Sequence, residues 1–181
     1  MSQQILPKRA EVNPEFTWDA SSIFATHTDW DAALENFKKD IPSLLNFAGR
    51  LGDSGAVLLE FLEVLNDLRS KFRKLSVYAS LFRSVDSEDN AANIMSGKAA
   101  SVFANFASTA AFGQPELLAL GQSKLEQLIL QEPKLEMYKH HFEILEKGRA
   151  HVRSSEVEAL LGSVSEPFSQ AVQTQDRKSV V

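Results

Sequence analysis

The chain has 181 residues, 44% of them hydrophobic and 24% charged, with a formal charge of −5 and no cysteine. That mixture suits a globular protein, and a chain of this order buries roughly 70% of the surface its unfolded form exposes without help from a disulfide or a metal. Lysines and arginines are scattered among acidic residues, which argues against nucleic acid as a partner because phosphate affinity needs a concentrated cationic face. No run approaches the ~20 apolar residues of a membrane span. The first fifteen residues are polar, contain Pro7 and Pro14, and lack the apolar centre of a secretion signal. The absence of cysteine removes thiol nucleophiles and cysteine zinc sites, and it fits a cytoplasmic location.

Residues 1–24 show no helical period and end in Trp18-Asp19-Ala20-Ser21-Ser22-Ile23-Phe24, an extended N-terminal arm expected to lie across the helices with Trp18 and Phe24 as anchors. Thr28 ahead of Asp29-Trp30-Asp31 predicts a hydroxyl cap and an acidic first turn, and Trp30, Ala33, Leu34 and Phe37 then mark one buried face. Pro42 predicts a kink or break, with Asp40 as a possible new cap. Gly52-Asp53-Ser54-Gly55 reads as a turn with a cap. Beyond it Leu58, Leu62, Leu65, Leu68, Phe72, Leu75, Ala79 and Phe82 recur every three or four residues, the strongest helix in the sequence. Ser87-Glu88-Asp89-Asn90 links it to a second helix, so the two should be antiparallel.

That second helix, from Ala91 to Ala111, is dominated by Ala, Ser and Gly. Its small side chains predict a place inside the bundle with neighbours on more than one side. Gly113-Gln114-Pro115 should close it, and shorter helices follow from Pro115 to Leu120, Ser123 to Gln131 and Pro133 to about Lys147, with Gly148 ending the last. A final helix should begin behind Ser154 or Ser155 at Glu156-Val157-Glu158. The expected fold is all-α, antiparallel helical hairpins forming a bundle behind the arm. Residues 25–175 make one helical domain, with no strand pattern and no internal repeat. Residues 176–181, Asp-Arg-Lys-Ser-Val-Val, resume no apolar period and can be back-translated as the start of a common sequencing adapter. They are expected to be a non-native tail, with the natural protein continuing past Gln175.

A colinear series of short motifs carries a resemblance. Trp18-Asp19-x-Ser21-Ser22-Ile23-Phe24 is followed by Trp30-Asp31-Ala32-Ala33-Leu34, Lys71 to Leu81 with Tyr78-Ala79-Ser80, and Pro115-Glu116-Leu117-Leu118. Then come Glu132-Pro133-x-Leu135-x-x-Tyr138-x-x-His141 and His151-Val152-x-Ser154 with Glu158-x-Leu160-Leu161. Together they resemble the N-terminal third of oligoendopeptidase F, among the thimet-oligopeptidase-like zinc metallopeptidases. The resemblance implies an all-helical enzyme in which zinc-bound water attacks internal bonds of short peptides inside a deep channel. It also implies that this region forms a wall of that channel, with the oligopeptide substrate and the enzyme's C-terminal catalytic domain as its partners.

The zinc and its ligands are expected in the full-length parent and not in this chain, because the two histidines and intervening glutamate of HExxH are missing. The histidines are His27, His140, His141 and His151, none with another four residues away. His140, His141 and Glu143 share one helix and could offer ligands, but a single turn supplies too few convergent donors, so paired polar residues on an exposed face is the preferred reading. No serine-hydrolase elbow or phosphate loop is present. The chain is therefore assigned no catalytic, cofactor-binding or metal-ligating residue, and it is expected to be inactive alone. The alternative is a stand-alone helical module that binds a protein or peptide in a surface groove. A metal-dependent enzyme built on His140, His141 and Glu143 ranks last.

Overall fold

The structure, a computed structural model, describes residues 11–86 and 88–149. Its spine is a 31-residue helix, Gly55–Val85, about 46 Å long at 1.5 Å per residue. Before it come a helix at His27–Asp40 and a 3-10 segment at Ile41–Phe47; after it come helices at Asn90–Ala110, Gly113–Gln131 and Lys139–Gly148, with a 3-10 segment at Pro133–Tyr138 between the last two. We number the five helices α1 (27–40), α2 (55–85), α3 (90–110), α4 (113–131) and α5 (139–148). Among the described residues no strand occurs, so the expected all-α class holds.

Local chemistry sets the helix starts. Ser54 accepts from the Val57 amide at the head of α2, and Asp89 accepts from the Ala91 and Ala92 amides at the head of α3; each side chain takes up amides that the first turn leaves unpaired. At α1 the cap is Thr26, which accepts from the Asp29 amide at 3.1 Å, two residues ahead of the expected Thr28. Both threonines precede acidic residues, but only Thr26 has the extended backbone a cap requires. Asp40 makes no capping bond before Pro42. Its carboxylate instead accepts from Lys71 on α2 at 2.8 Å. The chain tightens from α1 into the 3-10 segment at Ile41 without leaving the helical path, because proline removes one amide but is tolerated in a first turn.

The two ends of α2 have different neighbours. Its C-terminal half meets α1, where the buried Trp30 indole donates to the Leu75 carbonyl at 2.9 Å and His27 packs edge-on against Tyr78 and Phe82. Its N-terminal end meets α4, where the Gln131 side chain accepts from the Gly55 amide at 3.1 Å. The closeness of that end requires glycine: a Cβ on Gly55 would stand 2.5 Å from the Leu128 carbonyl oxygen. Along its length α2 pairs with α3. Phe61 meets Phe112 and Phe72 meets Phe103, so residue numbers rise on one side as they fall on the other, the antiparallel hairpin expected from the short link.

The position of α3 meets the expectation in part: it touches α2 through Phe103 and α1 through Phe106 and Lys98, but it is not covered all round among the described residues. Its buried residues are Ala92, Met95, Ala99, Val102 and Phe106, a single stripe at helical spacing. Ile94 is 54% exposed and Phe103 48% exposed. Among the described residues its Ala, Ser and Gly face is therefore turned outward. Small residues without charge mimic a helix buried all round when only composition is read.

The arm also departs from expectation. Residues 14–16 and 20–22 form 3-10 turns. Phe24 anchors as expected, its ring edge-on to Tyr78 at 5.4 Å, but Trp18 is 71% exposed and Phe16 78% exposed. Gly121, the expected separator, does bend α4 with a left-handed φ of 72°, which glycine adopts without a Cβ penalty. The helix expected from Ser154 or Ser155 and the tail at 176–181 lie outside the described residues.

Candidate functional site: an apolar groove with a cationic wall

Where α2, α3, the start of α4 and α5 diverge they leave an open groove of about 590 Å³, within the 300–1,000 Å³ usual for small-ligand sites. Its floor is apolar, built from Leu65 and Phe72 of α2, Phe103 and Phe106 of α3, Leu117 of α4 and Leu145 of α5. The small residues of α3 keep it open. Ala107 and Ala110 line it, and larger side chains there would fill the space between α3 and α2. Gly113 sits in the same corner, where a Cβ would come within 2.8 Å of the Phe61 ring.

One wall is cationic. Arg69 and Arg73 stand one turn apart on α2 and both line the groove, whose lining contains no aspartate or glutamate. Neither arginine has an ion-pair partner among the described residues, whereas Lys71 between them is held by Asp40 and Asp67 at 2.8 Å each. The sequence carries the reason: Asp67 lies four residues before Lys71, while no acidic residue lies three or four positions from Arg69 or Arg73. That spacing was the signal available for these two residues, which motif reading passes over. Ser76 and Gln114 add a hydroxyl and an amide to the rim.

The histidines separate. His141 lines the groove; desolvation, and secondarily the positive charge of Arg69, hold its imidazole below the usual histidine value. His140 is 80% exposed at its side chain and lies 3.6 Å from the Glu143 carboxylate. His27 is packed against rings at the far end of α2, and His151 lies outside the described residues. The structure thus does not bring His140, His141 and Glu143 into a ligand set. Among the described residues no three His, Cys, Asp or Glu side chains converge closely enough to hold a metal ion. The donors present do not fit a catalytic zinc, which needs three protein ligands around an open position.

A second constellation is structural. Glu116, in the first turn of α4, accepts from the Gly49 amide at 2.9 Å and the Leu51 amide at 2.7 Å. It ties the turn ahead of α2 to the head of α4. The same residue stands in the Pro115-Glu116-Leu117-Leu118 motif.

Fold and site together define, among the described residues, an all-helical module with an open and largely apolar groove. The family model described as Oligopeptidase F matches residues 116–179. The group B oligopeptidase PepB of Streptococcus agalactiae is 34% identical over 166 residues, 92% of this chain and 28% of that protein. The oligopeptidase PepF of Bacillus subtilis is 32% identical over 169 residues, 93% of this chain and 25% of that protein. The crystal structure of oligoendopeptidase-F from Enterococcus faecium superposes with a TM-score of 0.74 at 25% identity, covering 82% of this chain and 29% of that one. In sequence and in fold the chain is similar to the N-terminal region of oligoendopeptidase F, as its motifs imply. It spans little more than a quarter of the length of the curated relatives it matches.

Proposed function

We propose that this chain is the non-catalytic N-terminal helical region of a zinc-dependent oligoendopeptidase that cleaves internal bonds of short peptides in the cytoplasm. The arm, residues 1–24, and the helical domain, residues 25–175, form one wall of a substrate channel. The wall acts by exclusion: a confined channel admits short extended peptides and refuses folded proteins. The zinc, its ligands and the general base belong to the catalytic domain that completes the enzyme, and the chain alone is inactive. The observation that carries this reading is the match along 92% of the chain to an oligopeptidase, supported by a solved oligoendopeptidase-F with the same helical arrangement. The absence of HExxH from the sequence agrees with a division of labour between two regions.

The test is complementation. This chain is mixed with the remainder of an oligoendopeptidase of the same type, and hydrolysis of a quenched fluorescent oligopeptide is followed with and without zinc. Activity that needs both parts supports the reading; full activity of the remainder alone on short and folded substrates alike refutes the wall.

A further inference from the structure

We propose that the groove between α2, α3 and α5 is a subsite for the C-terminal residue of a short peptide, with Arg69 and Arg73 receiving its free carboxylate and the Phe72–Phe103 floor receiving an apolar side chain. The proposal deepens the oligopeptidase reading and rests on it for the identity of the ligand.

Charge comes first. The protein is acidic overall, at −5, yet the groove is lined by two arginines and by no acid. Two arginines four residues apart on α2 put two positive charges beside the groove, and Arg is the side chain best shaped for bidentate contact with a carboxylate. Neither is committed to an acid among the described residues, so binding a carboxylate breaks no ion pair there.

The chemistry beside the charge narrows the class. Phe72 and Phe103 stack with centroids 4.9 Å apart and line the same groove as Arg73, so an anion held there shares the groove with an apolar surface. A peptide C-terminus carries its carboxylate and its side chain on one carbon and can satisfy both at once. An internal Asp or Glu has only its charged group to offer and leaves the floor uncovered. Ser76 and Gln114 on the rim supply hydrogen-bonding partners for peptide amides, which a fatty acid would not use. The groove is also open to solvent, which lets the rest of the peptide leave it. An anchor for one end of the substrate would set how far its internal bonds reach toward the catalytic centre.

The test uses the 181-residue chain and three probes: an N-acetylated pentapeptide ending in leucine with a free carboxylate, the same peptide as its C-terminal amide, and decanoate. Binding is followed by calorimetry and by NMR shifts of labelled arginine side chains. The free acid should bind about tenfold tighter than the amide, the scale of two charge-assisted bonds at an exposed site. It should shift Arg69 and Arg73. The double variant Arg69→Gln, Arg73→Gln should reduce that preference below about twofold with unchanged circular dichroism, and serine in place of the terminal leucine should weaken binding severalfold. Equal binding of acid and amide, tighter binding of decanoate, or no arginine shift up to about 5 mM peptide, a concentration that would still register millimolar affinity, overturns the proposal. The last result is also the one expected if another part of the polypeptide occupies the groove. Complementation without acid-over-amide preference would sink this subsite alone, whereas preference without complementation would keep the subsite and sink the peptidase assignment.

Discussion

Removing the Glu116 carboxylate is the sharpest single test of how the loop before α2 and the head of α4 are joined. In Glu116→Ala two acceptors vanish, one for the exposed Gly49 amide and one for the amide of Leu51, a residue with no exposed surface. A hydrogen bond to a charged group contributes about 1.5–3 kcal/mol, and solvent access puts the Gly49 bond at or below the low end, about 1 kcal/mol. The Leu51 amide is left unsatisfied in a partly buried place, which costs about 2 kcal/mol. The sum is about 3 kcal/mol, or a fall of roughly 6–12 °C in melting temperature for a chain of this size. Glu116→Gln keeps one carbonyl acceptor and should cost about half as much. Urea unfolding followed by circular dichroism reads both, and the slope should not change, because the surface exposed on unfolding is the same. A loss below about 1 kcal/mol for the alanine variant, or equal losses for both variants, would show that the two amides find water at no cost and that the tie is incidental.

Two glycines should respond in opposite directions. Gly97 lies in α3 with open space where a Cβ would stand, no atom coming within 4 Å, so Gly97→Ala should stabilise by about 0.5–1 kcal/mol. Gly55→Ala must displace the backbone of α4 at Leu128 and should destabilise by about 2 kcal/mol or more; thermal melts of the pair reversing this order would contradict the close approach of α2 and α4. His141 should titrate below the ordinary histidine value of about 6.5, first because it is desolvated and second because Arg69 is near. Its folded-state value is depressed, so the unfolded chain takes up the proton first, and His141 makes stability fall as pH drops from about 6.5 toward the folded-state midpoint. Arg69→Gln should move the imidazole NMR midpoint only part of the way back, and a complete return would make the charge, not burial, the main cause.

The helices were legible because their information is local. Leu58, Leu62, Leu65, Leu68 and Leu75 repeat at the spacing of one helical face, and all five are buried. Ser54 and Asp89 announce their helices by side-chain chemistry that acts within three residues. Reading failed where two local solutions were equal or where a partner was far away in sequence. Thr26 and Thr28 are both plausible caps, and backbone conformation chooses between them. Trp18 looks like an anchor by type, yet Phe24 is the ring that finds Tyr78. Glu116 looks like an ordinary acidic first turn, and its two amides lie 65 and 67 residues away.

By itself the sequence determined the helical class, the α2–α3 hairpin and the resemblance to an oligopeptidase, since periodicity, caps and ordered motifs are all written along the chain. Tertiary structure decided which faces stayed uncovered. Burial depends on which helices meet, and a stripe of alanines on α3 becomes a buried seam or the side of a groove only when α2 and α5 are set beside it. The same packing put Arg69, Arg73 and His141 around one apolar floor, a juxtaposition of α2 with α5 that no spacing within either helix encodes.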